Sequence, residues 1–411
     1  MRVTKKSLAL SLGVASVLTV AACAPSTSDT GGGQAETSAA AETETEAEPI
    51  NIGIITSTTG PLAAYGETYV DGFEAGLDYA TDGTGEVGGA ELVVEFQDDG
   101  GDTDRAVTQA RDLIGQGYTI IGGTASSGIA LSLAEQAEQN KVLYVSGPAA
   151  TDALSGINDY TFRSGRQSLQ DVATAGSFVD VEGQEVLVLA QDNAFGQGNL
   201  AAVQGVLGGK GAEVTSVMVP EDVTEFTPFA AQVRDAAPTM VFVAWAGATS
   251  GAMWQALDQQ GVLDDITVVT GLGDASTFGA YGAASEKIDF LNHYFPGATD
   301  NEINTAMIEH VEAAGGTPDL FTPDGFVAAQ MIVHAIEEAG GASDVDAMIA
   351  ALEGWSFDGP KGAYAIRESD HALIQPMFQT RLVSDGAGGW APELVAEVAG
   401  EDVAPPEAAA Q

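Results

Sequence analysis

Residues 119–154, TIIGGTASSGIALSLAEQAEQNKVLYVSGPAATDAL, contain the pattern that best indicates the fold of this chain. Two short apolar runs, TIIGG (119–123) and VLYVSG (142–147), are each followed by a loop of small polar residues, and a helical stretch separates them. Short apolar runs that alternate with helices are typical of parallel strands buried on both faces of a sheet. Because binding sites in such sheets lie at the carboxyl ends of the strands, the two polar loops are the first candidates for a site.

The same alternation extends over most of the chain. Further apolar runs lie at 50–56, 91–96, 185–191, 213–219, 240–246 and 266–271. Amphipathic helical stretches, such as 102–117 and 229–237, lie between them. The pattern predicts an α/β fold with two doubly wound parallel-sheet lobes.

The 411 residues are enough for two such lobes, and the chain is expected to pass between them several times. A helix-rich segment follows the second group of strands and is interpreted as returning to the first lobe. We therefore assign 50–166 and 297–372 to lobe 1, and 167–296 and 373–400 to lobe 2. Several crossings between two lobes predict a hinge over a cleft.

The first 22 residues (1–22) are interpreted as a lipoprotein signal peptide. Three basic residues precede an apolar run that is short for a membrane span but suits an export signal. The run ends in VAAC (20–23), which is similar to the bacterial lipobox. That likeness places the only cysteine of the chain, Cys23, at the position that is acylated, and it predicts an exported protein anchored by lipid to the outer face of the cell membrane.

Two further segments show no pattern of strands or helices. Residues 23–49 are rich in Ser, Thr, Gly, Ala and Glu, and we interpret them as an acidic flexible linker. Residues 401–411 are a Pro, Ala and Glu stretch that we expect to be a disordered tail.

The composition excludes several classes of function. The chain has 59 acidic and 14 basic residues, a net charge of −45, and such a surface repels nucleic-acid phosphates. One cysteine and four scattered histidines offer no spacing typical of a metal site. We therefore expect no nucleic-acid partner, no bound metal and no cofactor.

The motifs that resemble enzyme signatures are in the wrong context. A literal GxGxxG at 83–88 follows a helix and precedes a strand, which is the reverse of a dinucleotide site. A near-match at 196–201 is separated from its strand by residues 192–195, so the tight phosphate turn is missing. Neither a nucleophile elbow nor a Walker A sequence is present. The sequence predicts no catalytic residues and no enzyme.

The polar loops of 119–154 suit a small charged ligand. Ser126 and Ser127 lie where a helix begins, so their hydroxyls serve either as helix caps or as ligand donors. A helix N-terminus also offers free N–H groups to a carboxylate. With the neighbouring loop at Ala149, Ala150 and Thr151, they form a niche sized for the head group of an α-amino acid.

Six segments of the chain match, in the same order, segments of a known family. They are GPLAAYGETYVDGFEAGLDYA (60–80), TASSG (124–128) with SGPAAT (146–151), QDNAFGQG (191–198), VFVAWAG (241–247) and TPDGFVAAQMIVHAI (322–336). On these segments, from residue 50 to about residue 392, the chain resembles the solute-binding proteins of branched-chain amino acid ABC importers, which have the type I periplasmic-binding fold.

The resemblance implies roles for the residues that match the motifs. Ser126, with the backbone at Ser127, matches the loop that binds the ligand carboxylate. Ala149 supplies a carbonyl for the ammonium group, and Thr151 supplies a hydroxyl and an N–H group.

Further positions follow from the same likeness. Tyr65 matches the aromatic residue that closes over the ligand, and Phe195 replaces a tyrosine that is frequent in the family. Trp245, or its neighbour Ala246, lies at another aromatic position. For each aromatic residue, ordinary core packing is the alternative. Asp274 fits the usual partner of the ammonium group only with a shift of one residue.

The leading hypothesis is a receptor that captures a small amino acid, with a branched-chain one first, and delivers it to ABC permease subunits in the membrane. We expect a monomer. The alternatives are a receptor for an amide, urea or an aromatic acid, and a ligand sensor on the same fold.

Overall fold

The computed structural model describes residues 47–408, apart from the side chains of 282–284. The predicted signal peptide, Cys23 and most of the predicted linker lie outside the described residues. Six strands form the first sheet, in the order β2-β3-β1-β4-β5-β6. These strands are β1 (Ile50–Thr56), β2 (Glu86–Val87), β3 (Ala90–Asp98), β4 (Ile120–Gly122), β5 (Leu143–Ser146) and β6 (Thr161–Arg163). All pairings are parallel except that of β2 with β3.

Helices cover both faces of this sheet, which explains why its central strands are apolar throughout. On one face lie α2 and α3, and on the other lie α1, α11 and α12. The helices of this half are α1 (Ala63–Ala80), α2 (Thr103–Gly115), α3 (Ser127–Asn140), α10 (Glu302–Ala314), α11 (Thr322–Ala339) and α12 (Val345–Leu352). A Cβ atom at Gly72 of α1 would lie 1.9 Å from the Thr322 carbonyl oxygen, so glycine permits the close approach of α1 and α11.

Seven strands form the second sheet, in the order β16-β15-β11-β10-β9-β7-β8. They are β7 (Glu185–Gln191), β8 (Glu213–Val219), β9 (Met240–Ala244), β10 (Thr267–Gly271), β11 (Ile288–Asn292), β15 (Met377–Ser384) and β16 (Trp390–Val398). The helices of this half are α4 (Ser168–Phe178), α5 (Ala194–Gly209), α6 (Thr227–Ala236), α7 (Ser250–Gln259), α8 (Val262–Asp265) and α9 (Phe278–Tyr281). Strand β15 pairs antiparallel with both β11 and β16. This edge of the sheet is therefore antiparallel, whereas the sequence predicts a parallel sheet.

A small antiparallel sheet belongs with the first core. It consists of β12 (Ser356–Gly359), β13 (Gly362–Ile366) and β14 (Leu373–Ile374). Tyr364, Ile366 and Leu373 are buried in the same apolar cluster as β1 and α11. The chain thus passes between the two sheets after β6, after β11 and after β14, so three connections join the lobes.

The segment predicted to be a disordered tail is partly packed on lobe 1. A 3₁₀ turn spans Gly400–Val403, and the Val403 side chain is buried. Arg367 donates hydrogen bonds to the carbonyls of Pro405 and Pro406, and the Ala408 N–H donates to Asp370. Disorder is predicted from the composition of residues 401–411 alone. The contacts that order this segment depend on Arg367, which lies far away in the sequence and is brought close by the fold.

Candidate functional site

A cavity of about 410 Å³ lies between the carboxyl ends of the two sheets, where side chains of both lobes line it. The predicted residues in its wall are Tyr65, Ser126, Ser127, Ala150, Phe195 and Trp245. Ala149, Thr151 and Asp274 do not line it. Its volume lies in the range of small-molecule binding sites.

The start of α3 forms one wall on the lobe 1 side. Ser126 is the N-cap residue, and its Oγ accepts a long hydrogen bond of 3.5 Å from the Ile129 N–H. The Oγ of Ser127 is buried and has no hydrogen-bond partner among the described residues. First-turn N–H groups of a helix have no partner within it, so this end can receive a carboxylate.

The second polar loop is mostly engaged with its own lobe. Arg163 Nη2 donates to the Ala149 carbonyl at 2.8 Å, and Nη1 donates to the Thr151 carbonyl at 3.3 Å. Thr151 Oγ1 accepts from the Ala153 N–H at 3.4 Å. The carbonyl and hydroxyl that the resemblance assigns to the ligand therefore already have partners within lobe 1.

Aromatic side chains cover the cavity from both lobes. Tyr65 packs edge-on against Phe321 at 4.6 Å between ring centroids, and its hydroxyl accepts a hydrogen bond of 3.3 Å from the Gly247 N–H of lobe 2. Burial, with the nearby charge of Asp274, raises the pKa of Tyr65, which keeps the phenol neutral. Trp245 Nε1 donates to Thr249 Oγ1 at 3.0 Å, which fixes the indole in the wall.

Asp274 serves a local structural role. It caps a 3₁₀ turn at Ala275–Thr277, accepting from the Ser276 N–H at 3.0 Å and from the Ser276 hydroxyl. The preceding residue, Gly273, lines the cavity instead. The one-residue shift noted in the sequence therefore places the carboxylate outside the cavity wall.

Four of the polar residues of the cavity wall that carry no sequence signal are Arg166, Asp171, Asn292 and His293. They lie at two of the connections between the lobes. Arg166 Nε lies 3.3 Å from Asp171 Oδ2, Arg166 Nη1 donates to the Pro148 carbonyl at 2.9 Å, and the guanidinium lies 5.6 Å from the Phe321 ring centroid. No motif marks these residues, because their meeting depends on how the connections fold together.

Several polar atoms at this end of the cavity are buried without a partner among the described residues. They are Arg166 Nε, which makes only the ion-pair contact with Asp171, Asp171 Oδ1, both polar side-chain atoms of Asn292, and His293 Nε2. Burial raises the pKa of Asp171, while Arg166 opposes that shift. Burial, with the positive charge of Arg166 nearby, lowers the pKa of His293 well below its ordinary value, so its imidazole is neutral near pH 7. Unpaired buried groups of this kind are costly and mark a place where a polar ligand can bind.

Within residues 47–408, no cluster of three or more His, Cys, Asp or Glu side chains could hold a metal ion. None of the helices in that range is long and apolar enough to cross a membrane.

Comparisons with known proteins agree with this architecture. Residues 49–387 match a family model described as periplasmic binding protein. The Leu/Ile/Val-binding protein homolog 3 of Brucella melitensis is 25% identical over 343 residues, which is 82% of this chain and 92% of the relative.

Solved structures show the same fold. An ABC-type branched-chain amino acid transporter protein from Rhodopseudomonas palustris has 32% identity and a TM-score of 0.73, over 87% of this chain and 99% of that one. A solute-binding protein of R. palustris in complex with 4-hydroxybenzoate has a TM-score of 0.78 at 20% identity, over 85% and 97% of the two chains. These matches confirm the predicted α/β two-lobe fold and the predicted resemblance. The family consists of transporter binding proteins rather than enzymes.

Proposed function

Because the chain belongs to the periplasmic binding protein family, we propose that it is the extracytoplasmic solute-binding component of an ABC importer and that its ligand is a small amino acid. The observation that carries the proposal is the cavity between the lobes, with the start of α3 at one wall and a buried carboxylate at another. A zwitterion presents a carboxylate to the first and an ammonium group to the second.

The rest of the cavity wall suits an apolar side chain. Leu62, Val243, Leu272 and Leu320 line it together with the aromatic residues. Burial of an aliphatic side chain against such a wall contributes about 1.5–3 kcal/mol. The Leu/Ile/Val-binding relatives support a branched-chain amino acid as the first candidate.

An aromatic carboxylate is the second candidate. The observation that favours it is the aromatic wall of Tyr65, Phe195, Phe242, Trp245 and Phe321, against which a flat ring can stack. The neighbour that holds 4-hydroxybenzoate shows that the fold accommodates such a ligand.

A thermal-shift panel separates these candidates. It contains the twenty amino acids, benzoate and 4-hydroxybenzoate, simple amides and urea, and hits are followed by calorimetry. A ligand at one hundred times its Kd adds about 2.7 kcal/mol of stability, so a true ligand raises the melting temperature clearly. Stabilisation by an amino acid supports the proposal. Stabilisation by the aromatic acids alone, or by none of the amino acids, contradicts it.

We also propose that Cys23 is acylated and anchors the protein at the outer face of the cell membrane, where it meets its permease as a monomer. The support is the VAAC sequence at the end of an export signal. Cys23→Ser is expected to release the protein from the membrane fraction and to abolish a lipid-modified N-terminal peptide in mass spectrometry. Equal membrane retention of the variant, with no lipid on the wild type, contradicts the anchor.

A further inference from the structure

We propose that Asp171 is the residue that binds the ammonium group of the ligand. The inference rests on the proposed amino-acid function and assigns a residue that the sequence motifs do not mark. Asp171 lies in the first turn of α4, directly after the first connection between the lobes, and it lines the cavity.

The two oxygens of the Asp171 carboxylate have different surroundings. Oδ2 lies 3.3 Å from Arg166 Nε, whereas Oδ1 is buried and has no partner among the described residues. The side chain is only 7% exposed, so water does not freely solvate it. A buried carboxylate oxygen without a donor is unfavourable, and a cationic N–H group of a ligand would satisfy it.

The other candidate acceptors are engaged or lie elsewhere. Ala149, whose carbonyl accepts from Arg163, does not line the cavity, and Asp274 caps its own turn outside the cavity wall. Glu221 lines the cavity but is exposed and accepts from Asn193 Nδ2 at 2.7 Å. Among the described residues of the cavity wall, Asp171 is therefore the carboxylate that is buried and has an oxygen without a hydrogen-bond partner. The Asn292 carboxamide, which is 1% exposed and unpartnered, lies in the same wall.

The charges at this end of the cavity fit a zwitterion. Arg166, which is held by the Pro148 carbonyl and the Phe321 ring, balances the charge of Asp171, and the buried Lys361 and Asp324 nearby add one group of each sign. A ligand with no net charge therefore leaves the balance unchanged, whereas a simple carboxylate adds a negative charge and leaves Oδ1 unpaired. The carboxylate site at α3 belongs to lobe 1 and Asp171 belongs to lobe 2, so a bound amino acid would bridge the lobes.

The test compares an amino acid with the acid that lacks only its amino group. The amino acid is the one that the wild type binds most tightly in the thermal-shift panel; for leucine, the counterpart is 4-methylpentanoate. Calorimetry gives both Kd values for wild type, Asp171→Asn, Asp152→Asn and Asp274→Asn. Asp152 is a matched control, because it is a partly buried acid near Arg163 that does not line the cavity.

For Asp171→Asn, we expect the amino acid to bind about ten- to a hundredfold more weakly, while the deaminated acid binds within about threefold of wild type. Asp152→Asn should change both ligands equally, whatever it does to the melting temperature. Equal losses for both ligands in Asp171→Asn would assign the residue a structural role and overturn the inference, although the proposed function would stand. An amino-acid-specific loss in Asp274→Asn instead would also overturn it. If no amino acid binds the wild type, the proposed function and this inference both fail.

Discussion

Ser126 and Ser127 are adjacent in sequence but differ in what their hydroxyls do. Ser126 Oγ caps the first turn of α3, although weakly, whereas Ser127 Oγ is buried in the cavity wall without a partner among the described residues. The sequence suggested capping and ligand binding as alternatives for this pair. In the structure, Ser126 caps the helix, and Ser127 has the unpaired hydroxyl that is available to a ligand.

Alanine at each position separates the two roles. Ser127→Ala is expected to weaken ligand binding about tenfold and to leave the melting temperature of the unliganded protein nearly unchanged, because the lost hydroxyl has no partner before the ligand binds. Ser126→Ala is expected to lower the free energy of unfolding by about 1 kcal/mol or less, because its capping bond is long. Calorimetry and urea denaturation of both variants give the two quantities. Unchanged affinity in Ser127→Ala would remove that hydroxyl from the site.

At the scale of elements, the carboxylate of Asp98 holds the loop between β1 and α1. Its Oδ1 accepts from the N–H groups of Thr58 at 2.9 Å, Thr59 at 3.1 Å and Gly100 at 3.0 Å, and Oδ2 accepts from the Thr59 hydroxyl at 2.7 Å. Partial burial alone would raise the pKa of Asp98, but these hydrogen bonds outweigh it and lower the pKa to about 2. The loop then continues to Pro61 and Leu62, which line the cavity.

Asp98→Asn tests this anchor through its pH dependence. The folded-state pKa of Asp98 lies below its ordinary value, so the ionised carboxylate stabilises the fold above about pH 4, and that stabilisation is lost as the pH falls towards 2. We expect the variant to be about 1–2 kcal/mol less stable at pH 7, with the difference from wild type shrinking below pH 4. Urea denaturation at several pH values measures the free energy of unfolding of both proteins. Asp112 is exposed on α2, so Asp112→Asn is the control. A stability difference between Asp98→Asn and wild type that does not depend on pH would contradict the role of the Asp98 carboxylate.

At the scale of the whole molecule, the two lobes touch at the mouth of the cavity. The Ala248 N–H of lobe 2 donates to the Pro61 carbonyl of lobe 1 at 3.0 Å, next to the bond between Gly247 and Tyr65. A third bond runs from the Ala275 N–H to Asp319 Oδ2 at 2.9 Å. These contacts close the cleft over the cavity.

Gly247→Ala should oppose this closure. Gly247 has a φ of +81°, and a Cβ atom there would lie 2.5 Å from the Pro61 carbonyl oxygen of the other lobe. We expect at least tenfold weaker ligand binding and, in X-ray scattering at saturating ligand, a larger radius of gyration than the wild type has.

Gly261→Ala is the matched control. It has a φ of +74°, but its nearest neighbour, Asp264 Oδ2, is 3.8 Å from the added Cβ atom. It should lower stability without weakening ligand binding. Equal affinity of Gly247→Ala and wild type would show that closure does not need this contact.

The alternation of strands and helices could be predicted from the sequence alone for most of the chain, and with it the edge of the sheets where the cavity lies. Buried parallel strands such as β5 must be apolar throughout, and a helix start such as that of α3 needs a cap, so both are visible in a short stretch of residues. Strand β16 was not visible in this way, because most of its residues are exposed and its place depends on pairing with β15.

Which polar groups meet in the cavity depends on the packing of distant segments and could not be predicted from the sequence. Asp171 follows the first connection between the lobes, and Asn292 and His293 lie at the second, far along the chain, so no local period relates them. Whether a carboxylate is free to bind a ligand depends on the partners that other segments bring to it. Arg166 forms an ion pair with one oxygen of Asp171, and the Ser276 N–H donates a hydrogen bond to Asp274. Local sequence patterns report the burial of an element, whereas the hydrogen-bond partners of a buried side chain are set by the packing of distant segments.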